Sequence, residues 1–459
     1  MKKAILIIMA ALLILLPLSI FAGGEEEVQE AGPVSFDFWT TETQSDRMAT
    51  IQVLIDTYTT LYPDVSINLV AVDENDLVTQ VQTSSAAGTL PAMFEAPAET
   101  AVAFGVEGIV DTAAATEIVN GIGKGKFYQG ALNVLETSAK DGYYALPYHG
   151  WIQGIWYRAD WFEEAGLKPP TTWEDTLKAA KYFYQPDKNQ YGILVGTMDG
   201  EGYDEQCFTP IAMANNAALF DKDGKLVFNS PEMKEAVEYY AELAKYTPPG
   251  PQTWRARDYY LQGKLAMFYY STYIMDDLAL AEVAAGSLTS DNFESLKGTG
   301  FDPELVDKTR LAPIMTNKSS AGYGTVVALG LFTQDDSAKT AAAQNFVKYL
   351  YTQNAYITFL HMAPGGMNPM LKEISTNPRF QNDPKGIFKH YGAEKMGEII
   401  QGLDSIETFS IVDGNRMEAA SQITAQKIIP EMIYKITQEG MDVDKAMAEA
   451  ESKMEKLVK

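Results

Sequence analysis

Val34-Ser35-Phe36-Asp37-Phe38-Trp39 is the stretch on which the fold reading turns. Val34, Phe36 and Phe38 alternate with Ser35 and Asp37, the period of a strand with one buried face. Downstream, Met48, Ile51, Leu54, Ile55, Tyr58, Leu61 and Tyr62 recur at helical spacing until Pro63 stops the run. Val65, Ile67 and Leu69 then alternate again. Strand, helix and strand in about forty residues make a βαβ unit, hence a parallel sheet with a right-handed crossover. The fold class is α/β.

The same grammar continues along the chain. Leu77 to Ala87 reads as a helix broken by Gly88, and Pro91 leads into the short strand Ala92-Met93-Phe94-Glu95. Asp141-Gly142 is a hairpin turn. Gly150 to Tyr157 is rich in aromatics, and Asp160 to Ala165 is a short helix ended by Gly166. Thr171 with Glu174, or Thr172 with Asp175, fits a capping box at the start of the next helix. Asp221-Lys222-Asp223-Gly224-Lys225 reads as a hairpin turn, because its glycine sits too early for a calcium loop. Residues 326–332 form a buried strand, and the chain is mostly helical from Met417 on. There is no internal repeat.

The amino terminus carries a different signal. Lys2 and Lys3 precede an apolar run from Ala4 to Phe21, and Ala22 is followed by Gly23-Gly24 and three glutamates. This is the pattern of a signal peptide, residues 1–22, cleaved near Ala22. The run approaches spanning length, so an uncleaved anchor is the alternative. Pro17 and the abrupt acidic stretch favour cleavage. Gly23 stands where a lipoprotein would need cysteine, so the mature chain is expected free; a free secreted binding chain is retained only inside an outer membrane, so a periplasmic location is expected, and separately a monomer. Residues 23–32 read as a disordered leader.

With 459 residues the chain is long for a single core, and two lobes are expected. Lys and Arg number 36 against 61 Asp and Glu, a net charge of −25. Such a surface repels nucleic acid and anionic lipid. The lone cysteine, Cys207, excludes an internal disulfide and a cysteine-rich metal site.

Catalytic and cofactor motifs are not found. His149, His361 and His390 show no metal-ligand spacing, and no Gly-x-Ser-x-Gly elbow exists. Gly121 to Lys126 is glycine-rich without phosphate-loop spacing, and Gly322-Tyr323-Gly324 is only a fragment of a dinucleotide fingerprint. No cofactor, no metal and no enzymatic activity are expected, although paired carboxylates of a secreted carbohydrate-active enzyme would not show in sequence. Aromatics say more. Trp39, Trp151, Trp156, Trp254, Tyr270 and Tyr273 fall where strands end or turns begin. Ligands of doubly wound sheets bind beyond strand ends, and sugars offer apolar faces to rings and hydroxyls to polar rims. Trp156, Tyr157 and Trp161 suit core packing instead.

The stretch 142–179 carries a resemblance. Gly142-Tyr143-Tyr144-Ala145-Leu146-Pro147, then Ile155-Trp156-Tyr157-Arg158, then Pro169-Pro170-Thr171-Thr172-Trp173-Glu174-Asp175 resembles the signature of the family 1 extracellular solute-binding proteins of ABC importers, the maltose-binding-protein group. Arg158 replaces that pattern's asparagine. Ala87-Gly88-Thr89-Leu90-Pro91-Ala92, Asn229-Ser230-Pro231-Glu232, Leu261-Gln262-Gly263-Lys264-Leu265-Ala266-Met267 and Ala363-Pro364-Gly365-Gly366-Met367-Asn368-Pro369 resemble its further motifs in order. Ala92 stands where aspartate is common.

The resemblance implies a two-lobed periplasmic binding protein fold of type II kind, with the ligand cleft between lobes joined by hinge segments. Residues 33–148 plus 310–355 would form lobe 1, and 149–309 plus 356–459 lobe 2. The chain would cross near 147–152, 305–312 and 355–370. It further implies capture of a mono- or oligosaccharide and its delivery to membrane permease subunits. The ligand-binding residues it points to are Trp39, Glu42, Glu95, His149, Trp151, Tyr270, Tyr273, Tyr323 and Asn368. The aromatics would stack on the sugar; Glu42, Glu95, His149 and Asn368 would bind hydroxyls. Replacing Trp151 by alanine would weaken binding and leave the fold intact. A receptor of the same fold for a polyol, short peptide or glycerol phosphate ester is the alternative. Two or more of Arg47, Arg158, Arg255, Arg257 and Arg416 in the cleft would favour an anionic ligand.

Overall fold

A computed structural model describes residues 33–281, 284, 300–403 and 406–458. The signal peptide and leader expected at 1–22 and 23–32 lie outside the described residues. Among the described residues ten strands form the main sheet: β1 (Val34–Thr40), β2 (Val65–Ala71), β3 (Met93–Pro97), β4 (Leu146–Arg158), β5 (Tyr191–Leu194), β6 (Leu265–Ser271), β7 (Thr309–Ala312), β8 (Ile314–Thr316), β9 (Ser320–Leu331) and β10 (Asn368–Pro369). Their order is β2-β1-β3-β9-β4-β6-β5, with β7 and β10 on β4 and β8 on β9.

The βαβ reading is realised. β1 lies parallel to β2 over its whole length, and to β3 at Phe38 and Trp39. Between β1 and β2 the Ser45–Leu61 helix buries Ile51, Leu54, Ile55 and Tyr58 against the sheet. Phe346, on the Ser337–Leu350 helix, closes that core. Its ring lies 5.0 Å from Tyr58, 6.1 Å from Phe38 and 6.5 Å from Phe36. The other lobe has its own core, in which Cys207, Phe208 and Ile211 of the Tyr203–Ala214 helix are fully buried and Phe208 meets Tyr240 edge-on at 5.7 Å. Burial pushes the Cys207 thiol far up, so it packs as a small apolar group. Of the two capping boxes read from sequence, Thr172 is the one that forms, accepting from the Asp175 amide at 3.0 Å.

Two long strands join the lobes. β4 pairs with β9 from Leu146 to Gln153, then with β6 from Gln153 and with β7 from Ile155. β9 pairs with β3 along Val327–Leu331. A register shift between Pro147 and His149 bends β4 where proline removes a donor. Gly154 is required by close approach. A Cβ there would stand 2.5 Å from the Ala312 carbonyl oxygen.

The boundaries read from sequence shift accordingly. The segment 305–312 does not cross, because β7 already pairs with the Ile155–Arg158 end of β4. The second crossing is β9. Nor does 356–459 belong to one lobe. The Gln353–Leu360 helix packs on the Ser45–Leu61 helix, and the Glu418–Ala425 helix packs on the Ala98–Val106 helix of the first lobe. Arg416 anchors that tail, reaching Glu99 at 3.4 Å, Ser421 at 3.3 Å and the Val134 carbonyl. The Ile428–Thr437 helix then packs on the Tyr203–Ala214 helix of the second lobe.

Candidate functional site

Where the partners of β4 change, a cavity of about 570 Å³ opens. Its floor is Trp151 and Gln153 from β4 with Thr325 and Val327 from β9. One wall is the turn after β1, from Thr41 to Gln44 with Arg47, and Asp73, Glu74 and Asn75 beyond β2. The other wall comes from 201–206, 254–258 and the turn after β6, Tyr270 to Asp277. The size and the mixture of aromatic and polar lining suit a small-molecule ligand.

Trp151 is 8% exposed, its ring 6.1 Å from that of Tyr323. Trp254 carries the guanidinium groups of Arg255 and Arg257 at 4.5 and 5.2 Å. Arg47 lies 4.9 Å over Tyr273, and Arg257 donates to the Tyr270 hydroxyl. These cation–π and hydrogen-bond contacts fix ring orientations before any ligand arrives.

Arg47, Arg255 and Arg257 all line the cavity, whereas Arg158 and Arg416 do not. A count of arginines is not the right criterion, because each has an acidic partner. Arg47 meets Glu42 at 2.7 Å, Arg257 meets Asp277 at 3.3 Å and Arg255 approaches Glu201 at 3.9 Å. Asp73, Glu74, Asp258 and Asp276 also line the cavity. Among the described residues, seven carboxyl groups thus face three guanidiniums. Asp276 is 5% exposed and accepts the Asp277 amide at 2.9 Å. Burial, and then the neighbouring Asp277, push its carboxyl up to about 6. The cavity is therefore hospitable to hydroxyl donors and hostile to anions.

Of the residues expected at the ligand, Glu42, Trp151, Tyr270 and Tyr273 line this cavity. Glu95 and His149 lie fully buried outside its lining. Glu95 accepts from the Thr40 hydroxyl and contacts His149 Nε2 at 2.9 Å. Thr40 Oγ1 in turn accepts the Glu42 amide at 3.1 Å, so this network props the Glu42 turn from below. Tyr323 lines a neighbouring pocket of about 100 Å³ with Glu99 and Glu205. Trp39 does not line the cavity; it is half-buried against the core. Asn368 is fully buried and braces the backbone, donating to the carbonyls of Gly150 at 3.1 Å and Gly365 at 2.7 Å. Its neighbour Gly366 has no room for a Cβ against the Tyr273 ring, so the late glycine segment positions Tyr273. Gln153, Arg47, Trp254 and Asp276 also line the cavity, although no family motif marks them as ligand residues.

Glu42, Glu95 and His149 bring potential ligand atoms within 4.8 Å of one another, the one such metal-ligand group among the described residues. Glu42 is held by Arg47, and Glu95 by Thr40 and His149. A cation would have to displace those bonds, so the set fits a hydrogen-bond network better than a metal centre.

Comparison with known proteins places this geometry. A family model described as bacterial extracellular solute-binding protein matches residues 41–356. The Escherichia coli K12 protein YcjN, provisionally named as an ABC transporter periplasmic-binding protein, is 27% identical over 426 residues, 93% of each chain. Among solved structures, a maltose-bound Thermotoga maritima protein, MalE3, superposes with a TM-score of 0.70 at 16% identity, covering 92% of this chain and all of its own. An ABC transporter solute-binding protein of Agrobacterium radiobacter K84 in complex with ribitol gives 0.72 at 18%, covering 93% and 99%. These likenesses establish the two-lobed α/β fold.

Proposed function

Because the chain belongs to the bacterial extracellular solute-binding proteins, we propose that it captures a neutral, hydroxyl-rich solute, a sugar or the corresponding polyol, and presents it to the permease of an ABC importer. It acts in the periplasm after removal of residues 1–22, by binding and lobe closure and not by turnover. The observation that carries this reading is the charge pairing in the cavity. Aromatic faces from Trp151, Trp254, Tyr270 and Tyr273 stand beside carboxylates, and every lining arginine has an acidic partner. A carboxylate accepts hydroxyl hydrogens in pairs and rings cover C–H faces, whereas a phosphate ester would meet net negative charge. Maltose and ribitol, bound by the two structural neighbours, are both neutral polyhydroxylated molecules. YcjN supports the importer assignment through its name.

The test is a thermal-shift screen of the chain lacking residues 1–22 against sugars, polyols, glycerol phosphate esters and short peptides. A ligand at ~100 times its dissociation constant stabilises the native state by about 2.7 kcal/mol. A selective shift with one sugar or polyol, which is recovered unchanged, is the expected result. A shift with a phosphate ester or peptide alone overturns the ligand class. Turnover of the shifting solute overturns the receptor reading.

A further inference from the structure

Lys427 has left-handed backbone geometry, φ +52°, although it carries a full side chain. That conformation is sterically unfavourable for an L-residue, and glycine or asparagine is the residue that usually bears it. It falls between two helices that pack on different lobes: Glu418–Ala425 lies on the Ala98–Val106 helix, and Ile428–Thr437 on the Tyr203–Ala214 helix. The chain thus crosses between lobes at Gln426-Lys427. Strained residues persist where the surroundings over-determine them, often at switch regions.

The side chain explains what holds it there. Lys427 Nζ donates to the Asn75 carbonyl at 3.2 Å and to Asn75 Oδ1 at 3.1 Å, both in the segment that follows β2. It also donates to the Gly200 carbonyl at 2.5 Å, in the segment between β5 and the Tyr203–Ala214 helix. One ammonium therefore satisfies all three of its donors with groups from both lobes. Asn75 and the neighbouring Glu74 also line the ligand cavity, which places the clamp at its rim.

We propose that Lys427 is a positioning residue for lobe closure, a clamp at a chain crossing that fixes the angle between the lobes without touching the ligand. It rests on the two-lobed fold and not on the ligand class, so it survives any outcome of the solute screen. A contact made in one interlobe arrangement shifts the population toward that arrangement by its own free energy.

The experiment is small-angle scattering on the ligand-free chain lacking residues 1–22, with K427N, K427Q and K427R, each also melted. K427N tolerates the left-handed backbone but has no ammonium. It is expected to show a larger radius of gyration than wild type with little change in Tm, while K427R keeps the charge and stays close to wild type. A K427N radius of gyration equal to wild type, whether Tm falls or not, overturns the proposal. So does expansion of K427R to the same extent as K427N. Should K427N not fold, K427Q is read by the same criteria.

Discussion

Trp151→Ala separates the two jobs that one ring performs. Trp151 is 8% exposed. Truncating a buried tryptophan to alanine costs about 3–5 kcal/mol. One edge of this ring opens onto the cavity, so the lower end, about 3 kcal/mol, is expected. Sequence reading expects the fold to stay intact; a ring this buried adds a cost in stability to that expectation. Binding loses something different. With so little of the ring exposed, a sugar can cover about 20 Å² of it, which hides about 40 Å² of apolar surface on the two partners together; at about 25 cal/mol per Å² that gains ~1 kcal/mol, about fivefold in Kd. Trp151→Phe keeps a ring and should lose less on both counts. The assay is urea unfolding of the ligand-free protein beside calorimetric titration with the solute that shifts it most. An alanine variant that binds within twofold of wild type refutes the stacking role. Unchanged unfolding refutes the claim that the ring is part of the core.

The remaining predictions concern charge and space. Glu205, 7% exposed, has its carboxyl raised to about 7 by burial, a rise only partly offset by the Thr424 hydroxyl at 2.6 Å. Between pH 4.5 and 7 the native state keeps a proton that the unfolded chain has released, so stability falls as pH rises through that window, by about 3 kcal/mol. Glu205→Gln should abolish that fall and be the more stable protein at pH 8; a variant no more stable there contradicts the reasoning. Gly154→Ala drives a Cβ to 2.5 Å from the Ala312 oxygen and 2.7 Å from Pro313 Cα, both backbone. Overpacking of this kind costs about 1–3 kcal/mol, and an unchanged urea midpoint would show that β7 shifts freely.

What sequence made legible follows from how many independent signals each element carries. The first βαβ unit was readable because its strand and helix periods differ and Pro63 punctuates them. β4 was not readable in the same way. All thirteen of its residues are buried, so no alternation marks where its partner changes from β9 to β6 and β7. The crossing at Gln426-Lys427 carries neither glycine nor proline, so nothing in the mostly helical tail marks a change of lobe there. At the site, Glu42, Trp151, Tyr270 and Tyr273 follow or occupy identifiable strands. Arg47, Trp254 and Asp276 sit on turns and helix ends whose aim depends on contacts distant in sequence. A count of arginines leaves out their partners for a similar reason. Arg47 and Glu42 are five apart, but Arg257 and Asp277 are brought together only by the fold.

The position of the cavity follows from the strand order. β4 and β9 are adjacent and antiparallel, and each pairs outward with a different lobe. Side chains on the stretch where both pair only with each other have no third strand beside them. Trp151 and Thr325 occupy this stretch, and Gln153 ends it where β6 begins to pair. The floor therefore lies on the two strands through which the lobes are connected, and a twist of those strands moves both walls relative to it. A solute held between floor and walls contacts every element that closure moves. Lys427 works on the same coordinate from the rim. Floor substitutions should thus alter affinity through contact, and rim substitutions through the interlobe angle. The two kinds should add when combined, because they share no partner.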